Sequence, residues 1–310
     1  MKQAGDGLKN ARLIQFLVVG CVVALGSAGC GEKEELLPES TPITMTGEAR
    51  EERDLAPIEI DTLRAWRKLL KVTRDEYWNE RGGVVGNDWA EVWYPPGKLT
   101  VTHGMYVLKH LTTTREQAKE LFGSLPPNQL MVTCAKSMAT YTKDTGKQWW
   151  HYSRLQNDRI DFQPVAVLVQ RGLLDKATAR EFYRWVIQSL AGRRAPLWLE
   201  HGFSTLIAGD AQTVQDYLTE FPSDPVVRTL KEIDEALKKN DVKKDIRIAG
   251  FNSLKMTERV VGKYGKTATA AFIGELGRGG SLDSASKKHF EQPWNDVLAD
   301  ALDWSKGWTR

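Results

Sequence analysis

Cysteine and histidine are scarce in this chain: three and five among 310 residues. Three cysteines exclude the disulfide-dense scaffolds of small secreted domains. There is also no excess of one charge. The 43 Lys and Arg stand against 40 Asp and Glu, a net +3 with the signs well mixed, so the basic stripe that a phosphate-backbone binder needs is absent and nucleic acid is excluded as a partner. No G-x-S-x-G elbow supports a serine hydrolase, and no internal repeat is visible. The longest apolar run, Leu13 to Leu25, is too short for a helix to cross roughly 30 Å of hydrocarbon.

What is present begins with that run. Lys2, Lys9 and Arg12 precede it, and the small residues Gly26, Ser27, Ala28 and Gly29 follow it up to Cys30. This is the layout of a secretory signal. Ser27-Ala28-Gly29-Cys30 resembles the lipobox of bacterial lipoproteins, with Ser27 where that pattern usually has Leu. The resemblance implies a signal peptide over 1–29, lipidation of Cys30 and attachment to a membrane of the cell envelope. Gly31 after the cysteine, in place of Asp, points to the outer membrane where the cell has one. An ordinary cleaved signal or a short anchor is the alternative. With the signal removed and Cys30 acylated, Cys134 has no partner, so stability must come from a core. A domain of about 250 residues can bury roughly 70–75% of its unfolded surface and needs no staple.

Residues 30–57 are Glu-rich, hold Pro38 and Pro42 and carry few apolar residues. They cannot bury enough surface to offset the ordering entropy and read as a disordered tether. The domain then spans 58–310. Its periodicities predict a helix over Asp61–Tyr77, a break at Gly82-Gly83, a strand over Ala90–Tyr94, a helix over Met105–Phe122, a strand over Gln129–Cys134 and a short helix near Ser137–Thr142. Two strands, Trp149–Ser153 and Arg159–Phe162, turn at Gln156-Asn157-Asp158. From about 176 onward only helices are expected: Lys176–Leu190, Trp198–Ala208, Ala211–Leu218, Pro225–Lys239, Ser253–Tyr264, Ala268–Leu276 and Trp294–Trp304. Mixed elements followed by helices alone make an α+β domain, a small sheet with helices and then a helical C-terminal half.

The most informative segment is Pro196-Leu197-Trp198-Leu199-Glu200-His201-Gly202-Phe203-Ser204. It resembles P-x-W-L-x-E-G-x-A, the second motif of gluzincin metallopeptidases of the peptidase-MA-like group. At the upstream distance where that family has H-E-x-x-H stands Arg180-Glu181-Phe182-Tyr183-Arg184. The order of elements and the tail, with Val260–Gly265, Leu282-Asp283-Ser284-Ala285 and Trp304–Trp308, are similar too. The resemblance covers roughly Val92 to Trp308. It implies a zincin-like fold in which Arg180, Arg184 and His201 hold the places of the three zinc ligands, and Glu181 that of the general base.

Those departures bear directly on chemistry. Two imidazoles at i and i+4 point the same way and can share a metal. A guanidinium in the same place is permanently protonated and has no acceptor, so it repels a cation. Without a metal-bound water, Glu181 has little to deprotonate, and no cofactor is expected. His103 and His110 lie seven apart, too far for one ion. His151, on the hairpin that borders the cleft in family members, leaves His151 with His201 as the one pair worth naming. Cys134 ends a predicted strand in apolar company and reads as an inert buried thiol. Arg180 and Arg184 either form an ion-paired plug with Glu181 or fork onto a carboxylate such as a peptide C-terminus. In the second case Trp149, Trp150 and Trp198 line an aromatic groove. The sequence thus favours a catalytically inactive binding or scaffolding module. It leaves open a zinc-dependent hydrolase using His201, His151 and Glu181, and a purely structural lipoprotein.

Overall fold

The computed structural model describes residues 71–73, 82–96, 98–218, 228–239 and 241–306. The signal, Cys30 and the tether lie outside the described residues. Six strands form one mixed sheet in the order β1-β2-β3-β4-β6-β5. They are β1 Lys71–Thr73, β2 Gly83–Gly86, β3 Ala90–Tyr94, β4 Leu130–Cys134, β5 Ser153–Gln156 and β6 Arg159–Phe162. The centre is parallel, with Val92 opposite Val132 and Val132 opposite Ile160. Both flanks are antiparallel. Buried Val92, Val132 and Ile160 in this centre fit a sheet covered by helices.

Among the described residues eleven helices follow or interleave: α1 Lys98–Phe122, α2 Met138–Thr145, α3 Val165–Gln170, α4 Leu174–Ala191, α5 Leu197–Ile207, α6 Ala211–Leu218, α7 Leu230–Lys239, α8 Lys243–Tyr264, α9 Lys266–Gly277, α10 Leu282–Phe290 and α11 Trp294–Lys306. The domain is therefore mixed α+β, with helices alone beyond the hairpin. Helix starts follow capping chemistry where polar caps exist. The Ser137 and Ser281 hydroxyls accept from the amides of Thr140 and Ser284.

Three expectations need correction. Lys71–Thr73 is a strand paired with β2, not part of a helix over Asp61–Tyr77; pairing with a neighbouring strand overrides local helical periodicity there. Gly82-Gly83 does not simply interrupt the chain. Gly82 has φ +97°, and Gly83 opens β2, where a Cβ would stand 2.2 Å from the Tyr94 hydroxyl. Glycine lets the strand lie on that ring. Finally, Trp149–Tyr152 is not a strand: the hairpin arm begins at Ser153. The preceding residues are held in a loop by the buried Gln163 amide, which donates to the carbonyls of Trp149 and His151.

Two hydrophobic clusters share α4 as their common wall. Phe182, Trp185 and Val186 pack with the sheet and with Leu108 and Leu111 of α1. Ile187 and Ala191, one turn on, pack with Trp198, Leu199 and Phe203 of α5 and with α8, α9 and α11. A column of stacked rings runs through the second cluster: Trp198 on Trp294 (6.1 Å), Trp294 on Phe272 (5.2 Å), Phe272 on Phe290 (4.9 Å) and Phe290 on Tyr264 (4.6 Å). Helix α5 also lies against α8. A Cβ on Gly202 would meet the Ser253 carbonyl oxygen and the Thr257 hydroxyl, each at 2.2 Å, so only glycine permits this approach.

Candidate functional site

Four polar side chains of α4, Arg180, Glu181, Arg184 and Gln188, meet in a buried ionic cluster. Arg180, Glu181 and Arg184 lie within little more than one turn of α4, so their side chains can reach the same neighbours. Arg184 donates from Nη1 to Glu181 Oε2 at 2.9 Å and from Nε to Glu200 Oε1 at 3.1 Å. Arg180 donates from Nη1 to Asp210 Oδ2 at 2.8 Å, and its Nε stands 3.5 Å from Glu181 Oε1. Gln188 Nε2 donates to Glu200 Oε1 at 2.8 Å. The cluster therefore joins α4 to α5 and to Asp210 at the start of α6. Tyr152 forms one wall, with Arg180 over its ring at 5.5 Å.

All of these charges are removed from water. The side chains of Glu181, Glu200 and Asp210 are 2–5% exposed, and those of Arg180 and Arg184 16–18%. Burial alone would raise the Glu181 carboxyl, but Arg184 and Arg180 beside it, with the Ser153 hydroxyl, hold it below the ordinary carboxylate range. Burial works against both guanidiniums, and their carboxylate partners more than compensate, keeping them protonated. His201, one residue past Glu200, has the opposite fate. Burial pushes its imidazole well below the usual value, and Arg184 and Arg180 push it further, so it is neutral at neutral pH. Chemically the cluster sets two guanidiniums against three carboxyl groups.

The structure thus brings Arg180, Glu181, Arg184 and His201 to one place and adds Glu200 and Asp210, which sequence reasoning missed. The available signal was charge balance: two guanidiniums with one carboxylate between them cannot be buried without further anions. The forks of Arg180 and Arg184 are turned to carboxylates of the chain itself. Glu181, Glu200 and Asp210 are the carboxylates they meet. Nor does the donor set suit zinc. Glu181 and Glu200 accept from Arg184 between them, and among the described residues no three His, Cys, Asp or Glu side chains form a metal-holding group.

The other singled-out residues disperse. Trp198 is 1% exposed and belongs to the ring column; it lines no open groove, because its helix turns that face to the second core. Trp149 is 41% exposed, with Lys243 over its ring at 5.2 Å. Trp150 packs between Trp149 and His151, at 5.9 Å from each. His110 pairs with Asp175 at 2.9 Å and stacks on Tyr106, joining α1 to α4. Burial lowers His103 on the same helix. Cys134 is buried, which pushes its thiol up to about 12, and a thiol so rarely ionised is inert.

No protein-family model matches the chain, and no curated protein matches it. Among solved structures it is similar to a mutant of a two-domain M1 zinc metallopeptidase bound to L-arginine, at 13% identity and a TM-score of 0.41. The likeness covers 77% of this chain and 51% of that one, so this chain spans about half the length of that structure.

Proposed function

We propose that the protein is a lipid-anchored envelope lipoprotein whose gluzincin-like domain is a non-catalytic binding or scaffolding module. The observation that carries the loss of catalysis is the ionic cluster. In the motif alignment Arg180 and Arg184 stand for the two histidine ligands and His201 for the third. Arginine offers a metal no lone pair, and each of these two is committed to buried carboxylates. Glu181, in the general-base position, is an ion-pair partner of both arginines. The cluster cross-links α4, α5 and the head of α6, which is the mechanical task that a structural metal would otherwise perform. The signal-like run ending at Cys30 supports the membrane attachment.

Calorimetric zinc titration tests the reading. The expected result is no zinc binding by the parent at neutral pH and no metal-dependent peptidase activity. Arg180→His, Arg184→His and His201→Glu combined are expected to create zinc affinity, seen also as zinc-dependent thermal stabilisation. Full activity need not return, since groups that orient ligating histidines change affinity about 10–100-fold and are not rebuilt by these changes. Tight one-to-one zinc binding by the parent, abolished by His201→Ala, would overturn the proposal.

A further inference from the structure

The stretch from the end of α2 to β5 has a firmly held backbone. The Lys147 amide donates to the Thr145 hydroxyl at 3.1 Å, and the Thr145 carbonyl accepts from Arg154 Nη1, also at 3.1 Å. The His151 amide closes a turn on the Gln148 carbonyl at 3.0 Å. Buried Gln163 donates to the carbonyls of Trp149 and His151, one on each side of Trp150. On this fixed frame two donors lack an acceptor. Trp150 Nε1 is buried and makes no hydrogen bond. The half-buried Lys147 ammonium makes no ion pair and no hydrogen bond with the described residues.

Lys147 is the cation left over in its surroundings. Arg154 and Arg159 share Asp161. Arg180 and Arg184 take Asp210, Glu181 and Glu200. These four carboxylates are 1–4% exposed, and each already has an arginine. Arg154 and Arg184 lie close enough to Lys147 for both to disfavour its charge, and Asp241 alone opposes them. A partly desolvated ammonium beside two guanidiniums costs free energy, and so does an indole N–H kept from water without an acceptor. Two costs of one kind on one rigid loop mark a functional position. What would relieve both is a single negative charge on acceptor oxygens, which a carboxylate supplies. Arg184 adds a donor, because Nε and Nη1 go to Glu200 and Glu181 and Nη2 remains. A phosphate monoester carries about −1.5 to −2, more than one surplus cation balances.

We propose that Lys147, with Arg184 Nη2 and the Trp150 indole N–H, binds the carboxylate of a ligand, the free C-terminus of a peptide. The inference deepens the binding-module reading and rests on it. Zinc titration tests that reading and carboxylate titration tests this one, so the two can fail separately.

The test follows the indole N–H resonances of the full chain by nitrogen-edited NMR, with Trp150 assigned by its absence in Trp150→Phe. Three probes are titrated: N-acetyl-trialanine with a free C-terminus, the same peptide as its C-terminal amide, and propionate. The free peptide is expected to shift the Trp150 resonance saturably, and the amide is not. Propionate weaker than the peptide supports a peptide terminus as the source of the carboxylate; equal binding assigns it to a small free acid. Lys147→Gln is expected to weaken the free peptide about tenfold or more, the worth of a hydrogen bond to a charged group. Its thermal midpoint should stay equal or rise, because the repulsion from Arg154 and Arg184 is gone; a lysine with a purely structural role would lower it. Equal shifts by amide and free peptide, unchanged affinity in Lys147→Gln, or a lower midpoint in that variant would each overturn the proposal. So would the lack of a saturable shift by either carboxylate at about 10 mM.

Discussion

Replacing Arg184 by methionine tests the ionic cluster directly. The change keeps most of the aliphatic stem and removes two charge-assisted hydrogen bonds, to Glu181 at 2.9 Å and to Glu200 at 3.1 Å. The losses are unequal. Glu181 retains Arg180 at 3.5 Å and the Ser153 hydroxyl, whereas Glu200 keeps the Gln188 amide at 2.8 Å. Breaking one partner out of a buried ion pair costs about 3–5 kcal/mol. The expected loss is therefore about 3–5 kcal/mol, read from urea denaturation at pH 7 as a shift in midpoint at constant slope. Arg184→Met combined with Glu200→Gln should recover at least about 1 kcal/mol, because the orphaned charge is gone. A loss under about 1 kcal/mol, or a double variant no better than the single one, would refute the claim that these charges are buried and mutually dependent.

Other outcomes follow from the same geometry. Cys30→Ser is expected to release the chain from membranes or to block its maturation; unchanged fractionation and processing would remove the lipid anchor. Because the folded His201 imidazole lies below its ordinary value of 6.5, the unfolded chain binds more protons below that pH. Stability is then fully present above about 6.5 and is lost as pH falls toward the folded value, with a second loss below 4.5 as the depressed Glu181 carboxyl titrates. His201→Asn should abolish the first phase of that pH profile and leave the second, and a profile unchanged above pH 5 would contradict the assignment. Helix propensity alone favours Gly202→Ala by about 1 kcal/mol. The 2.2 Å approach to the Ser253 carbonyl oxygen and the Thr257 hydroxyl reverses the sign, so thermal melting should show a net loss of at least about 2 kcal/mol.

Much of the fold was legible in the chain because its signals are local. Ala90–Tyr94 alternates and ends at Pro95-Pro96, so its strand stands as read. The helices α4, α5, α9 and α11 carry apolar stripes and lie within a few residues of their expected limits. Short elements with little internal signal escaped: β2, the six residues of α3 and the nine of α10. The order of the chemistry-bearing residues was legible as well. Arg180, Glu181, Arg184 and His201 could be singled out through the resemblance to the gluzincin motifs, and the unsuitability of arginine as a metal ligand needs no coordinates. Only the tertiary structure could decide where the arginine forks point. Asp210 is thirty residues from Arg180 and reaches it because α5 folds back beside α4. Glu200, hidden in the sequence beside the more conspicuous His201, turns toward Arg184 because α5 packs beside α4. Trp198 and Trp149 look alike as aromatic residues, yet one is a core ring and the other is exposed to solvent. A side chain's type fixes what it can donate, accept or bury; the company that makes it core, plug or surface comes from segments far away in the chain.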